Sequence, residues 1–537
     1  MTSKISSWTD ISGACPLLER LAAPERRRNS GGYIGFHMPG HRGGHDFPPE
    51  LRTALSALDI TEISASDDLN APGPALRAAA HLAAEAWQTE RSYFITTGSS
   101  TTIKVMLALA PGPDGRLFCP RAVHQSVIHA AALLNIRPVF LPDDLNLETT
   151  TALLSAHHDE SGRSAFLITS PDYYGRVVDL RGIASLAERE RIPLLIDAAH
   201  GAHFNFAPDL APPPATASGA DLIVHSLHKT LPALTPASLL HVASNSLFAA
   251  DFDDEKIYHY LRIFQTSSPS LMVAASMDYA RYYVSNHGGA AIARVHEELL
   301  ELNRSLHDYG YIPEGPLPRS AYPSGLAERD PIRLVLDCSC LGGGFAMAHY
   351  LESKGIYCEL AEPRRIVFLP SLGQPAEDFR ALGKALREYA EQFQRKGCNG
   401  DSKNANGGDG KNGNCYGDSG SSNDNGNDGV ETDIPYLSRR DIDEIDQIYV
   451  SMREMPADCE GRAEPHLMLN LAAATALPLS QAVNRRLATP LIIRPPGLAC
   501  RWPGEHINAD ELPALTELHR FFVQIDGITS GSARVLL

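Results

Sequence analysis

The chain has 537 residues, and at roughly 150 residues per domain it is expected to hold about three or four units rather than one core. Its 43% apolar and 21% charged composition excludes wholesale disorder and fibrous repeats. Sixty-four acidic against 47 basic residues leave a formal charge of −17, which repels phosphate backbones and anionic lipid surfaces, so neither nucleic acid nor membrane is an expected partner.

The N-terminal MTSKISSWTD lacks the apolar segment of a secretion signal, and residues 1–32 read as an arm. Short β-rich runs then alternate with Ala/Leu-rich helical stretches. A helix is expected over Pro74–Thr89, a strand over Arg91–Thr96 and a helix over Thr101–Ala110. Further strands are expected at Arg116–Pro120, Arg137–Leu141, Ser164–Thr169, Pro193–Asp197, Leu222–Ser226 and Ser238–Val242, with a helix at Ile183–Arg191. This alternation indicates an α/β fold, a mostly parallel seven-stranded sheet covered by helices, with ligands gathering just beyond the carboxyl ends of the strands.

The stretches without Lys, Arg, Asp or Glu, Thr230–Ala250 and His466–Val483, are interrupted by Pro, Ser, Asn, Gln or His and do not read as membrane spans. Of the 31 residues from Asn399 to Gly429, 26 are Gly, Asn, Asp or Ser, a composition that buries too little apolar surface to offset chain entropy. It divides the chain into a body with a large domain (33–290) and a small domain (291–395), a linker (396–434) and a C-terminal domain (435–537). Nine cysteines, an odd number with no CxxC pair, point to free thiols in a reducing, cytoplasmic compartment.

Chemistry-bearing residues follow the strands. Gly98-Ser99-Ser100-Thr101 opens a helix, where N–H groups and hydroxyls can cradle a phosphate or simply cap the helix. Asp197 ends an apolar strand, where a carboxylate needs a cationic partner or a turn to cap. Lys229 follows the strand that ends at Ser226 and stands beside His228 in an otherwise uncharged run. That setting suits either a lysine of lowered pKa, able to form a Schiff base, or an ordinary strand-end lysine.

The order and spacing of these residues resemble a pyridoxal-phosphate enzyme of the aspartate-aminotransferase fold, fold type I. The nearer likeness is to the bacterial ornithine/lysine/arginine decarboxylases. It lies in Phe36-His37-Met38-Pro39-Gly40-His41-Arg42-Gly43-Gly44, Asp59-Ile60-Thr61-Glu62, Asp67-Asp68-Leu69, Arg121-Ala122-Val123-His124-Gln125-Ser126 and Tyr173-Tyr174-Gly175. It continues through Asp197 to His203 and through Ser226-Leu227-His228-Lys229-Thr230, and returns at Pro495-Pro496-Gly497 and Pro503-Gly504-Glu505. The resemblance implies a small α+β domain and a C-terminal decarboxylase domain. It further implies that Lys229 carries the cofactor, Asp197 faces the pyridine nitrogen, His124 stacks on one ring face and Ala199 packs on the other. Gly98, Ser99, Ser100, Ser226 and His228 would hold the phosphate, His200 would lie near the substrate carboxylate, and Ser267 would reach the site of a neighbouring subunit. Asp67, Asp68 or Glu359 would receive the cation of a basic substrate, with arginine expected ahead of lysine and ornithine.

Two departures bear on the likeness: Ala198 stands where the family often has Glu, and Pro236 where it often has Gln. The extra N-terminal domain of larger acid-stress members is not expected, which favours the short biosynthetic type and a dimer or tetramer over a decameric ring. No metal is expected, because Pro39-Gly40 and Gly43-Gly44 break any helix that would align His37, His41 and His45. Another pyridoxal-phosphate reaction on the same scaffold, or a metal-dependent hydrolase using these histidines, remains open. Cys338 and Cys340 are expected to alternate along a strand as packing residues.

Overall fold

The computed structural model describes residues 32–142, 144–157, 163–316, 329–400, 463–469, 474–494 and 498–509, with shorter stretches and single positions elsewhere. The polar segment Asn399–Gly429 lies outside the described residues apart from its first two, which belong to the helix Ala376–Gly400; Pro495-Pro496-Gly497 and most of the N-terminal arm lie outside them altogether.

Seven strands build the central sheet: β1 (Thr89–Ile95), β2 (Arg116–Pro120), β3 (Arg137–Leu141), β4 (Ser164–Thr169), β5 (Leu194–Asp197), β6 (Leu222–Ser226) and β7 (Ser238–Ala243). Their order is β1-β7-β6-β5-β4-β2-β3. The strands from β3 to β6 pair in parallel, and only β7 runs antiparallel to both its neighbours. The expected mostly parallel sheet is therefore present, with strand boundaries within two residues of those read from the sequence. The central strands are buried along almost their whole length, with their polar residues at or near the ends, as strands covered on both faces are.

Two core clusters flank the sheet. Ile103, Val105, Met106, Val127, Ile128, Leu195, Val224 and Leu240 fill one. Phe118, Phe166, Ile183, Leu186, Ile196 and Ile223 fill another. The alternation of Leu195/Ile196 and Ile223/Val224 between the two reflects the two-residue period of a strand. A 35-residue helix, Leu271–Ser305, passes from this body to a small antiparallel sheet ordered Leu360–Ala361, Arg365–Phe368, Leu334–Asp337, Ile312–Gly315. The C-terminal region carries two three-stranded antiparallel sheets around Ile442, Leu487, Leu491, Ile507, Ile525 and Val535.

The expected alternation of Cys338 and Cys340 along a strand does not occur. That strand ends at Asp337, whose carboxylate accepts from the Ser339 amide at 2.8 Å and turns the chain. Neither cysteine forms a disulfide, and Cys338 is buried.

A buried ion pair and the packing of Trp502 join the described C-terminal residues to the large domain. Glu505 meets Arg121, and both are almost fully buried. The Trp502 amide donates to Glu505 at 2.8 Å, its indole N–H donates to the Arg121 carbonyl at 3.3 Å, and its ring sits edge-on to Phe140.

Candidate active site

The sheet delivers the site by ending its strands side by side. Asp197 closes β5 in register with Thr169 of β4 and Val224 of β6, and Ser226 closes β6 opposite Ser238 of β7. The short helix Leu227–Thr230 starts at once and carries Lys229 back over the strand ends.

Lys229 Nζ lies 3.0 Å from His200 Nε2. Burial lowers the Lys229 pKa from 10.5 to about 8; Asp197 and Glu359 oppose that shift and Arg333 adds to it. A lysine of this kind keeps far more of its amine uncharged near neutrality than a surface lysine does. Asp197 is buried and pushed upward by desolvation, with the Lys229 charge and the Ala199 amide pulling the other way. Among the described residues, its carboxylate accepts one hydrogen bond, from that amide at 3.1 Å. A buried anion with so little compensation suits a protonated ring nitrogen brought by a ligand.

Gly98 precedes the helix Ser99–Leu109 with φ +86°, a conformation that favours glycine, and a Cβ there would stand 3.2 Å from Pro236. No side chain caps this helix, so its first amides face the turn formed by Thr97, Gly98 and Ser99. Buried hydroxyls of Thr96, Thr97 and Ser226 have no hydrogen-bond partner among the described residues. Ser99 is half-buried and Ser100 exposed. Unsatisfied hydroxyls beside a helix N-terminus fit the phosphate of pyridoxal phosphate.

His124 caps the helix Gln125–Leu134; its Nδ1 accepts from the Ser126 amide at 3.2 Å and lies 2.8 Å from the Ser126 hydroxyl. Ala199 is buried. His228 is held by its Nδ1, which accepts the Ala237 amide at 3.1 Å, and burial pushes its pKa down to about 4. It therefore works as a neutral donor or acceptor.

The acids expected to meet a substrate cation separate. Asp67 accepts from the amides of Asp68 at 2.8 Å, of Leu76 at 2.9 Å and of Gly73, so its carboxylate is used in shaping the turn before the helix Pro74–Trp87. Asp68 accepts from the Asn70 amide at 2.8 Å within the same turn. Glu359 is different. It is half-buried, takes the Tyr173 hydroxyl at 2.6 Å and the Met38 amide at 2.8 Å, and acts electrostatically on Lys229. Ser267 is exposed on the single chain.

His37 bonds the Tyr33 hydroxyl and the Met38 carbonyl, while His41 accepts from the Gly44 amide. Among the described residues, no group of three His, Cys, Asp or Glu is arranged to hold a metal ion.

Sequence reasoning missed two buried arginines. Arg333 donates to the Tyr173 carbonyl at 2.6 Å and lies 3.0 Å from His200 Nδ1. Arg121 appeared only as part of a motif. The available signal was a cation at the edge of an apolar run, Arg333-Leu334-Val335-Leu336, but 104 residues separate it from Lys229 and nothing local links them.

Residues 16–309 match the profile of the Orn/Lys/Arg decarboxylase major domain. The uncharacterized protein YaaO of Bacillus subtilis is 31% identical over 71% of this chain and 78% of its own. An arginine decarboxylase of Bacillus anthracis is 25% identical over 93% of this chain and 91% of its own. Among solved structures, the constitutive lysine decarboxylase of E. coli superposes with TM-score 0.65 at 18% identity, covering 94% of this chain and 80% of that one. These matches and the lysine-centred strand ends agree: the chain belongs to the Orn/Lys/Arg decarboxylase family.

Proposed function

We propose that this protein is a pyridoxal-phosphate-dependent decarboxylase of a basic L-amino acid, with L-arginine converted to agmatine and carbon dioxide. The observation that carries the reading is the half-buried Lys229–His200 contact beside Asp197, an arrangement that keeps a lysine amine nucleophilic at the end of a parallel sheet. Four curated relatives at 25–29% identity are named arginine decarboxylase, and those named lysine decarboxylase stand at 21–22%.

Bound here, the cofactor supplies an electron sink for the pair left on the α-carbon when the carboxylate departs. The residues do the rest. Lys229 would hold the cofactor through its amine. Asp197 would keep the ring nitrogen protonated. His124 and Ala199 would pack against the ring, while Ser99, Ser100, Ser226, His228 and the amides after Gly98 would hold the phosphate. His200 stands at Lys229, placed to deliver a proton to the reacting atoms. Glu359, already fixed by Tyr173 and Met38, receives the far cation of the substrate; a guanidinium can pair with it in two places, an ammonium in one.

We place the enzyme in the cytoplasm, in polyamine synthesis, as a homodimer in which the exposed Ser267 completes the partner's phosphate site. No helix among the described residues is long and apolar enough to cross a membrane. The test is a panel of L-arginine, L-lysine and L-ornithine assayed for carbon dioxide with added pyridoxal phosphate. Release from arginine is expected; release from none of the three would overturn the reading.

A further inference from the structure

We propose that Arg333 is a positioning residue that locks His200 as its Nε2–H tautomer, so that the imidazole presents a proton rather than a lone pair to Lys229 and the reacting atoms. The argument begins with donor counting. A guanidinium has only donors and does not lose its proton in proteins. At 3.0 Å from Arg333 Nη2, His200 Nδ1 must therefore be the acceptor. The buried ring stays neutral, since desolvation, first, and the fixed charge of Arg333 oppose a second proton. Its single proton then sits on Nε2, 3.0 Å from Lys229 Nζ. Facing an N–H, Lys229 must accept, which only an uncharged amine does.

Arg333 is itself over-determined. Its side chain is fully buried, Nη1 is held by the Tyr173 carbonyl, and Asp330 lies 3.6 Å away. Asp330 is anchored by His203 Nε2 at 2.9 Å and by the Ile332 amide at 2.9 Å. Burial would raise the Asp330 carboxyl, yet His203, Arg333 and that amide hold it below its ordinary value, so it stays an anion and keeps Arg333 in place. Gly175 permits this approach: a Cβ there would stand 2.9 Å from Asp330 Cβ and 3.1 Å from Arg333 Cβ. The charged and titratable groups around His200 and Lys229 include Asp197, Glu359, His124, His228, Arg333 and Tyr173, whose ring packs edge-on against His200, and of these Arg333 is the one bonded to His200 Nδ1.

The inference rests on the pyridoxal-phosphate reading only for its second readout. The first is the nitrogen-15 spectrum of histidine-labelled full-length protein, with His200 assigned by its absence in His200→Gln. A lone-pair nitrogen at Nδ1 and a protonated Nε2 are expected; the reverse would overturn the proposal. The second is the pH profile of pyridoxal-phosphate capture, followed by absorbance. Arg333→Met removes the donor and a nearby positive charge, so the Lys229 pKa should rise from about 8 and capture at neutral pH should slow about tenfold for each unit of rise. Arg333→Lys keeps a donor-only cation and should restore most of the rate. Capture unchanged in Arg333→Met, or equal loss in both variants, would overturn it. Should Arg333→Met fail to fold, the wild-type and Arg333→Lys spectra still decide. A protein that shows the tautomer and captures the cofactor but releases no carbon dioxide would sink the proposed function and leave this inference standing.

Discussion

A lysine amine at a strand end does chemistry only if its neighbours hold it uncharged and hold its partner ready. Lys229 meets the first condition by burial and the second through His200. Lys229→Ala should abolish covalent capture, seen as loss of the visible absorbance band, while circular dichroism stays that of the wild type; retained turnover would refute its role. Asp197 acts through charge. On the proposed role, replacing it with Asn removes the anion that would keep the ring nitrogen protonated, and loss of such a preorganised partner should slow turnover by at least ~100-fold with little change in cofactor content. A change of only a few-fold would mean that the ring nitrogen is held otherwise. At this scale the positions of Asp197, His200 and Lys229 were legible, because each stands at or just after the end of a recognisable apolar strand, where the structure has it. Arg333 was not legible, because what defines it is a hydrogen bond across 133 residues.

At the scale of elements, the strands and their helices were readable from period and composition alone: β2, β3, β4 and β6 begin and end where the sequence placed them. Local pattern says little about what happens after an element stops. Asp67, one of three acids the resemblance offers to a substrate cation, accepts from three backbone amides, since a carboxylate in a tight turn is captured first by the nearest N–H groups. The docking of the C-terminal region was equally hidden, for it depends on Glu505 finding Arg121 384 residues away. Glu505→Ala would leave that guanidinium buried without its counter-charge, which costs about 3–5 kcal/mol. Arg121 opens the turn that positions His124, so the variant should lose stability in urea and bind the cofactor more weakly. Wild-type values for both would show that the contact is incidental.

At the scale of the whole molecule, the site is incomplete in one chain if Ser267 acts on a neighbour. Ser267 is exposed here, and a two-fold interface places the same residue at both sites. Ser267→Ala and Lys229→Ala proteins should each be impaired alone, and mixing them under conditions that exchange subunits should return activity, because a hybrid holds one intact site. No recovery, or a fully active monomer by sedimentation, would contradict the shared site. The central claim is the reaction itself. It is tested most directly by kcat/KM for carbon dioxide release from L-arginine, L-lysine and L-ornithine by the purified holoenzyme. Release from arginine is expected, with agmatine formed in equal amount and a preference over lysine of about tenfold, or ~1.4 kcal/mol of transition-state discrimination. A preference for lysine of that size would overturn the choice of substrate, and the absence of carbon dioxide from all three would contradict the account as a whole.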